Sequence, residues 1–186
     1  MTLLLVCMVG AGLALSPPHS MSQAHQPTGE QAAELRFSAI DTGNDLWDVA
    51  LAGARFTSRD DVEGRLLLET ARLARSRGMK VIVLVPRPGE GTGTHPARPV
   101  PSYGARYTKW HAQWFYQLER ERWQTWRPES GAIFWADQVQ MSRLRVFEAH
   151  ALVRLASGSD GISGDLFDPA AVISDLSPIY GAGASR

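Results

Sequence analysis

The stretch from Phe56-Thr57-Ser58-Arg59-Asp60-Asp61-Val62 to Arg77-Gly78 constrains this chain most, because it writes out a helix with its start, charge order and stop. Thr57 or Ser58 supplies an N-cap oxygen for the first free N–H groups, and Asp61, three residues after Ser58, makes a short-armed capping box. Val62, Leu66, Leu73 and Ala74 recur at three- and four-residue steps, with Leu67 and Thr70 widening the apolar stripe. Asp60, Asp61 and Glu63 fall in the first turns and Arg72, Arg75 and Arg77 in the last. That order complements the helix dipole, each exposed charge contributing about 0.3–1 kcal/mol. On this reading all these charges answer the helix's own dipole. Gly78 supplies a left-handed stop.

Strand-like runs flank the helix and give a strand-helix-strand nucleus. Across Leu46 to Phe56, Trp47, Val49, Leu51 and Gly53 share one face, while Asp48, Ala50, Ala52 and Ala54 share the other. Met79 to Val85 is a short apolar run rich in β-branched residues, ended by Pro86 and Pro88. Residues 86–105 hold five prolines and four glycines and read as a loop. Within it, Gly89 to Thr94 is glycine-rich but lacks the Lys-Ser/Thr ending of a phosphate loop.

A Trp-rich segment spans 106–137. As a strand it aligns Trp110, Ala112, Trp114, Tyr116 and Leu118 on one face, although Gln117 to Gln124 is also compatible with a helix. Arg127 to Gly131 carries a turn signal, so Ala132 to Ala136 is expected to pair back as a hairpin. Phe147, Ala149, Ala151, Val153 and Leu155 alternate with Glu148, His150 and Arg154, predicting a strand with one buried face. Residues 158–164 read as a loop. Asp168 as N-cap and Pro169 at the first position open a short helix with Val172, Ile173 and Leu176 as its stripe, ended by Pro178. The expected fold class is α+β, a small antiparallel sheet with about two helices packed on one face.

Leu3 to Leu15 is an unbroken run of thirteen apolar and small residues, too short for a bilayer-crossing helix of about 20 residues. With Pro17-Pro18 and the small-x-small site Ser22-Gln23-Ala24 behind it, the run suits a secretory signal. The expected organisation is therefore a signal peptide over 1–24, a flexible lead over 25–44, one α+β domain over 45–180, and a tail over 181–186. The expected location is the periplasm or cell envelope. Cys7 is the only cysteine, so no intramolecular disulfide forms. Val6 precedes it and most of the apolar run follows it, which argues against a lipid anchor there.

Three blocks resemble the CC0125/CC1285 family of bacterial envelope lipoproteins: the strand and helix from Phe56 to Gly78 with the strand after it, Val146-Phe147-Glu148-Ala149-His150-Ala151, and Asp168-Pro169 through Ser177-Pro178. The resemblance covers about half of the chain. It implies a small α+β envelope domain with no established activity, and it brings no catalytic or binding residues.

Lysine plus arginine equals aspartate plus glutamate, 19 against 19, so the chain has no basic excess for nucleic acid. No HExxH, H-x3-H, CxxC or G-x-S-x-G pattern occurs, and no cofactor, metal or catalytic residue is expected. Glu148, His150 and His111 are the one set that neighbouring strands would bring together, against the plainer reading of a polar face pairing Arg154. Five of the six tryptophans fall between 110 and 135, among Lys109, Arg120, Arg122 and Arg127. Such rings either fill a small core or present stacking surfaces beside cations. Trp114, Trp123, Trp126 and Arg122 are the candidates for surface contact. The expected function is that of an exported, non-catalytic envelope protein contacting a periplasmic protein, peptidoglycan or a membrane surface. The alternative is a ligand-binding or hydrolytic domain with its site between loop 86–105 and the Trp-rich segment.

Overall fold

A computed structural model describes residues 35–54, 58–87, 100–126, 141–159 and 161–181. The signal over 1–24, the glycine-rich stretch 89–94, the expected strand 132–136 and the tail beyond 181 lie outside the described residues. The fold is α+β, with a seven-stranded antiparallel sheet and two helices.

Part of the expected flexible lead is a strand. β1 (Arg36–Gly43) pairs antiparallel with β2 (Leu46–Gly53). Gly43, Asn44 and Asp45 all take left-handed φ values of 88°, 55° and 59° between them, and these residue types tolerate that region best. Asp41 Oδ1 accepts from Gly43 N at 2.8 Å and Thr42 Oγ1 donates to Leu46 O at 3.0 Å, closing the turn.

Helix α1 (Arg59–Ser76) follows β2 much as the sequence dictates. Ser58 is the N-cap, its hydroxyl accepting from Asp61 N at 3.0 Å, and Gly78 takes φ 71° just past the C-cap Arg77. β3 (Val81–Leu84) comes next. A single 3-10 turn at Ala105–Tyr107 precedes β4 (Gln113–Leu118), which pairs with β5 (Gln124–Trp126). The hairpin turns at 119–123, so Gln117 to Gln124 is strand and turn instead of helix, while the expected turn at 127–131 lies outside the described residues. Trp114 lies opposite Trp126, so cross-strand indole packing selects this register.

β6 (Leu144–Ala156) is the spine. One edge pairs with β2 along Phe147 to Arg154. The other edge is shared end to end: β4 occupies Leu144 to His150, and β3 occupies Val153 to Ala156, with Val85 N donating to Leu152 O. The two strands part at Ala151, leaving a split in the sheet. β7 (Asp165–Phe167), unforeseen within the 158–167 region, adds to β3. Helix α2 (Pro169–Tyr180) is capped by Asp168 and runs through Pro178 instead of ending before it. Proline there removes one N–H and leaves the rest of the last turn intact, since Gly181 N still donates to Ser177 O.

Alternation along the strands sends Trp47, Val49, Leu51, Ile82, Leu84, Trp114, Phe147, Ala149, Ala151, Val153, Leu155 and Phe167 into one core with Val62, Leu66, Leu67 and Leu68 of α1 and Val172 and Leu176 of α2. The opposite sheet face carries Asp48, Gln113, Phe115, Glu148, His150 and Arg154.

Candidate functional site

Three places hold polar or aromatic groups that packing alone does not require. The first lies beneath the sheet. Glu63, expected among the dipole charges of α1, has no accessible surface. Its Oε1 accepts from Arg59 Nε at 2.9 Å, Trp114 Nε1 at 3.1 Å and Ala112 N at 3.4 Å, while its main-chain oxygen accepts from Trp110 Nε1 at 2.9 Å. A buried carboxylate needs such donors, and here one residue pins two indoles and the entry to β4. Arg59 also lies over the Trp126 ring, 5.8 Å from its centroid. Glu63, Trp110 and Trp114 are buried and Arg59 half-buried, so the contacts act to hold the fold together. The sequence signal was present but ambiguous: Glu63 directly follows Val62, inside the stripe that the core claims.

Beside this cluster, Tyr107 donates to Asp175 Oδ2 at 2.7 Å, and Arg106 pairs with the same oxygen at 3.0 Å. Burial first, then the Asp175 contact, pushes the Tyr107 phenol well above its ordinary range. Burial likewise raises Tyr180 to about 12, helped by the negative charges of Asp61 and Asp60.

The second place is the helix-free face at the split. Asp48 pairs with Arg87 and lies 3.2 Å from His150 Nδ1, while His150 Nε2 lies 2.9 Å from Glu148 Oε2. Ionised carboxylates only accept, so both ring contacts are hydrogen bonds when both nitrogens carry hydrogen. Phe115 packs edge-on against the His150 ring at 5.4 Å. Arg87, His111, Gln113 and His150 line a hollow with about 10 Å³ of room, enough for one water. Its described lining holds no serine, threonine, cysteine or lysine, so no side-chain nucleophile of those types faces it. Glu148 and His150 do meet as neighbours on the strand. Among the described residues, however, no group of three His, Cys, Asp or Glu side chains is arranged to hold a metal ion. Arg154, expected to pair on this face, is exposed, and Asp48 takes the second contact to His150 instead.

The third place is the β4–β5 apex. Of the four candidates for surface contact, Trp114 and Trp126 are core residues, with rings 5.9 Å apart and T-shaped, and Trp114 also packs on Phe147. Their register faces them to α1, so they present no surface. Trp123 is 47 % exposed, and Arg122 beside it is exposed as well. The turn beneath them is braced by Glu121. Its Oε2 accepts from Gln124 Nε2 at 2.7 Å, its Oε1 from Arg143 Nη2 at 2.7 Å, and its main-chain oxygen from Gln117 Nε2 at 3.0 Å. Tyr116 extends the brace by donating to Gln124 Oε1 at 2.8 Å, and Glu119 N donates to Arg143 O at 2.9 Å. Trp123 therefore rides on a fixed support.

A scan against known family models, a search among characterised proteins and a search among solved structures each found no match to this chain.

Proposed function

We propose that this is an exported, non-catalytic protein of the bacterial cell envelope that acts by contact, and that the β4–β5 apex is the contacting element. The observation that carries the reading is Trp123: an indole left 47 % exposed on a turn held by three hydrogen bonds to Glu121. A ring of that size gains most by leaving water, and a braced turn lets it do so without a further ordering cost. The apolar run Leu3 to Leu15 supports export, and the three blocks resembling the CC0125/CC1285 envelope lipoproteins support the location.

The test is co-sedimentation of the exported protein with peptidoglycan sacculi and with envelope membranes, comparing wild type and Trp123→Ala. Retention by at least one of them, lost in the variant, is expected, and equal retention of both proteins would overturn the reading. Mass spectrometry of the exported product is expected to find an N-terminus at residue 25.

A second reading has its own observation. The hollow lies between Val85 to Arg87, at the start of the 86–105 loop, and His111 to Gln113 in the Trp-rich segment, where a small-ligand site was the alternative. Arg87, His111, Gln113 and His150 all border it, which is what favours this reading. Ligand addition that shifts the His111 and His150 ring signals in NMR, but leaves Trp123 untouched, would favour it over the apex.

A further inference from the structure

We propose that the β4–β5 apex docks on an anionic lipid bilayer, an inference that rests on the contact reading above and names its partner. The charges around Trp123 set the sign. Arg120, Arg122, Arg143 and Arg145 are all exposed at this end of the sheet, against Glu119 and Glu121. Glu121 already shares its carboxylate with Arg143 and Gln124. In a chain with zero formal net charge, this gives the apex a local excess of cations among the described residues. Position brings the four arginines together: Arg120 and Arg122 form the turn, Arg143 pairs with Glu121, and Arg145 sits at the register shift where Gln117 and Leu118 meet Val146 and Leu144.

Arg120 holds φ 61°, a left-handed position that glycine or asparagine takes at lower cost.

The size of the apex decides between partners. A stable protein interface covers about 800 Å² on each side. Five residues at the end of a narrow hairpin present much less. A bilayer asks for less area: one indole seated at the boundary between headgroups and hydrocarbon, with arginine stems lying along it and guanidinium groups on the phosphates. A nucleic acid also offers base faces on which an indole stacks, so the test below separates it from a bilayer. Among the described residues no helix is long and apolar enough to cross a membrane.

The test uses the exported protein, its N-terminus verified so that the apolar run 3–15 does not supply the binding. Flotation is measured with vesicles containing phosphatidylglycerol and with vesicles of phosphatidylcholine alone. The expected result is binding to the anionic vesicles, weakened as salt rises from about 0.1 to about 0.5 M. Arg120→Glu/Arg122→Glu is expected to weaken it about tenfold or more, as two reversed charges at an anionic surface imply. Trp123→Phe is expected to abolish the blue shift of tryptophan emission that accompanies binding, and Trp123→Ala to weaken binding about fivefold. Arg75→Glu/Lys80→Glu makes the same change in net charge at exposed positions around the far end of α1, and is expected to stay within about twofold of wild type. All five altered residues are exposed, so retained melting temperatures separate lost binding from lost folding.

Equal binding to both vesicle types, or an equal loss in the far-end variant, overturns the proposal. Capture by sacculi that Trp123→Ala abolishes, with no vesicle binding, overturns the bilayer but leaves the apex as the contact. Binding to nucleic acid in place of vesicles does the same. Indifference of every surface to Trp123 sinks both readings together.

Discussion

Trp114 and Trp123 stand on one hairpin and have opposite fates. Trp114 has no accessible surface, donates to the Glu63 carboxylate, and touches Trp126 and Phe147. Trp123 lies just before β5, past the point where cross-strand pairing holds the chain, and is 47 % exposed. The same side chain fills the core in one case and faces solvent in the other. What separates them is whether a helix lies opposite, because α1 covers only the inner face of the sheet. Residue type therefore says little here until register is known.

The widest way to break that comparison is to delete the inner ring. Trp114→Ala is expected to cost about 4 kcal/mol, the scale of removing a large aromatic from a core, and denaturant unfolding would read it. A loss below about 1 kcal/mol would mean that the inner indole is no more structural than the outer one.

Glu63→Ala comes next, at about 3 kcal/mol, because it strands the Arg59 guanidinium and the Trp114 N–H at once. Glu63→Gln keeps an acceptor for the indole and is expected to cost less. If the two substitutions are equally harmful, the charge matters more than the hydrogen bonds.

Alkaline titration sharpens the contrast further. Tyr107 and Tyr180 hold their phenol protons above the ordinary tyrosine range, Tyr180 to about 12. The folded state thus keeps protons that the unfolded chain releases near pH 10, so stability is intact below that pH and falls as pH rises toward 12. Tyr180→Phe should flatten part of that fall in pH-dependent melting curves. A curve with unchanged slope would remove Tyr180 from the covered layer.

The smallest effect belongs to the apex. Trp123→Ala should change stability by less than about 0.5 kcal/mol, as an exposed site implies, while changing binding. A core-sized loss from this substitution would erase the distinction between the two rings.

Much of the fold was legible in the sequence, and the failures have physical causes. α1 and α2 announce themselves because their caps, Ser58 and Asp168, and the glycine stop at 78 are local signals. β6 was equally clear, since strict alternation from Phe147 to Leu155 reports a half-buried strand. β1 was passed over although Asp41-Thr42-Gly43-Asn44-Asp45 carries a turn signal, because an edge strand with mostly exposed positions has little apolar period to read. The β4–β5 pairing went unread for a different reason: 119–123 carries no glycine, proline or asparagine to mark a turn, and the Trp114–Trp126 contact across it is tertiary. Glu63 shows the limit most plainly. Its contacts with Trp110, Ala112 and Trp114 span 47, 49 and 51 residues, and no local pattern encodes a partner that far away. The surface candidates divided two and two for the same reason, since only tertiary pairing tells which tryptophan meets α1.

The split spine has a bearing on timing. β2, β3 and β4 never pair with one another; each is joined to the sheet through β6, which comes last of the four. Among the described residues, a nascent chain short of residue 144 holds two hairpins, β1–β2 and β4–β5, with α1 and β3 between them. Hairpins of that kind are barely stable alone in water. Cooperative closure waits for thirteen residues near the end of synthesis, so the amides of β6 should be the slowest to exchange with solvent. Until then the polypeptide stays threadable.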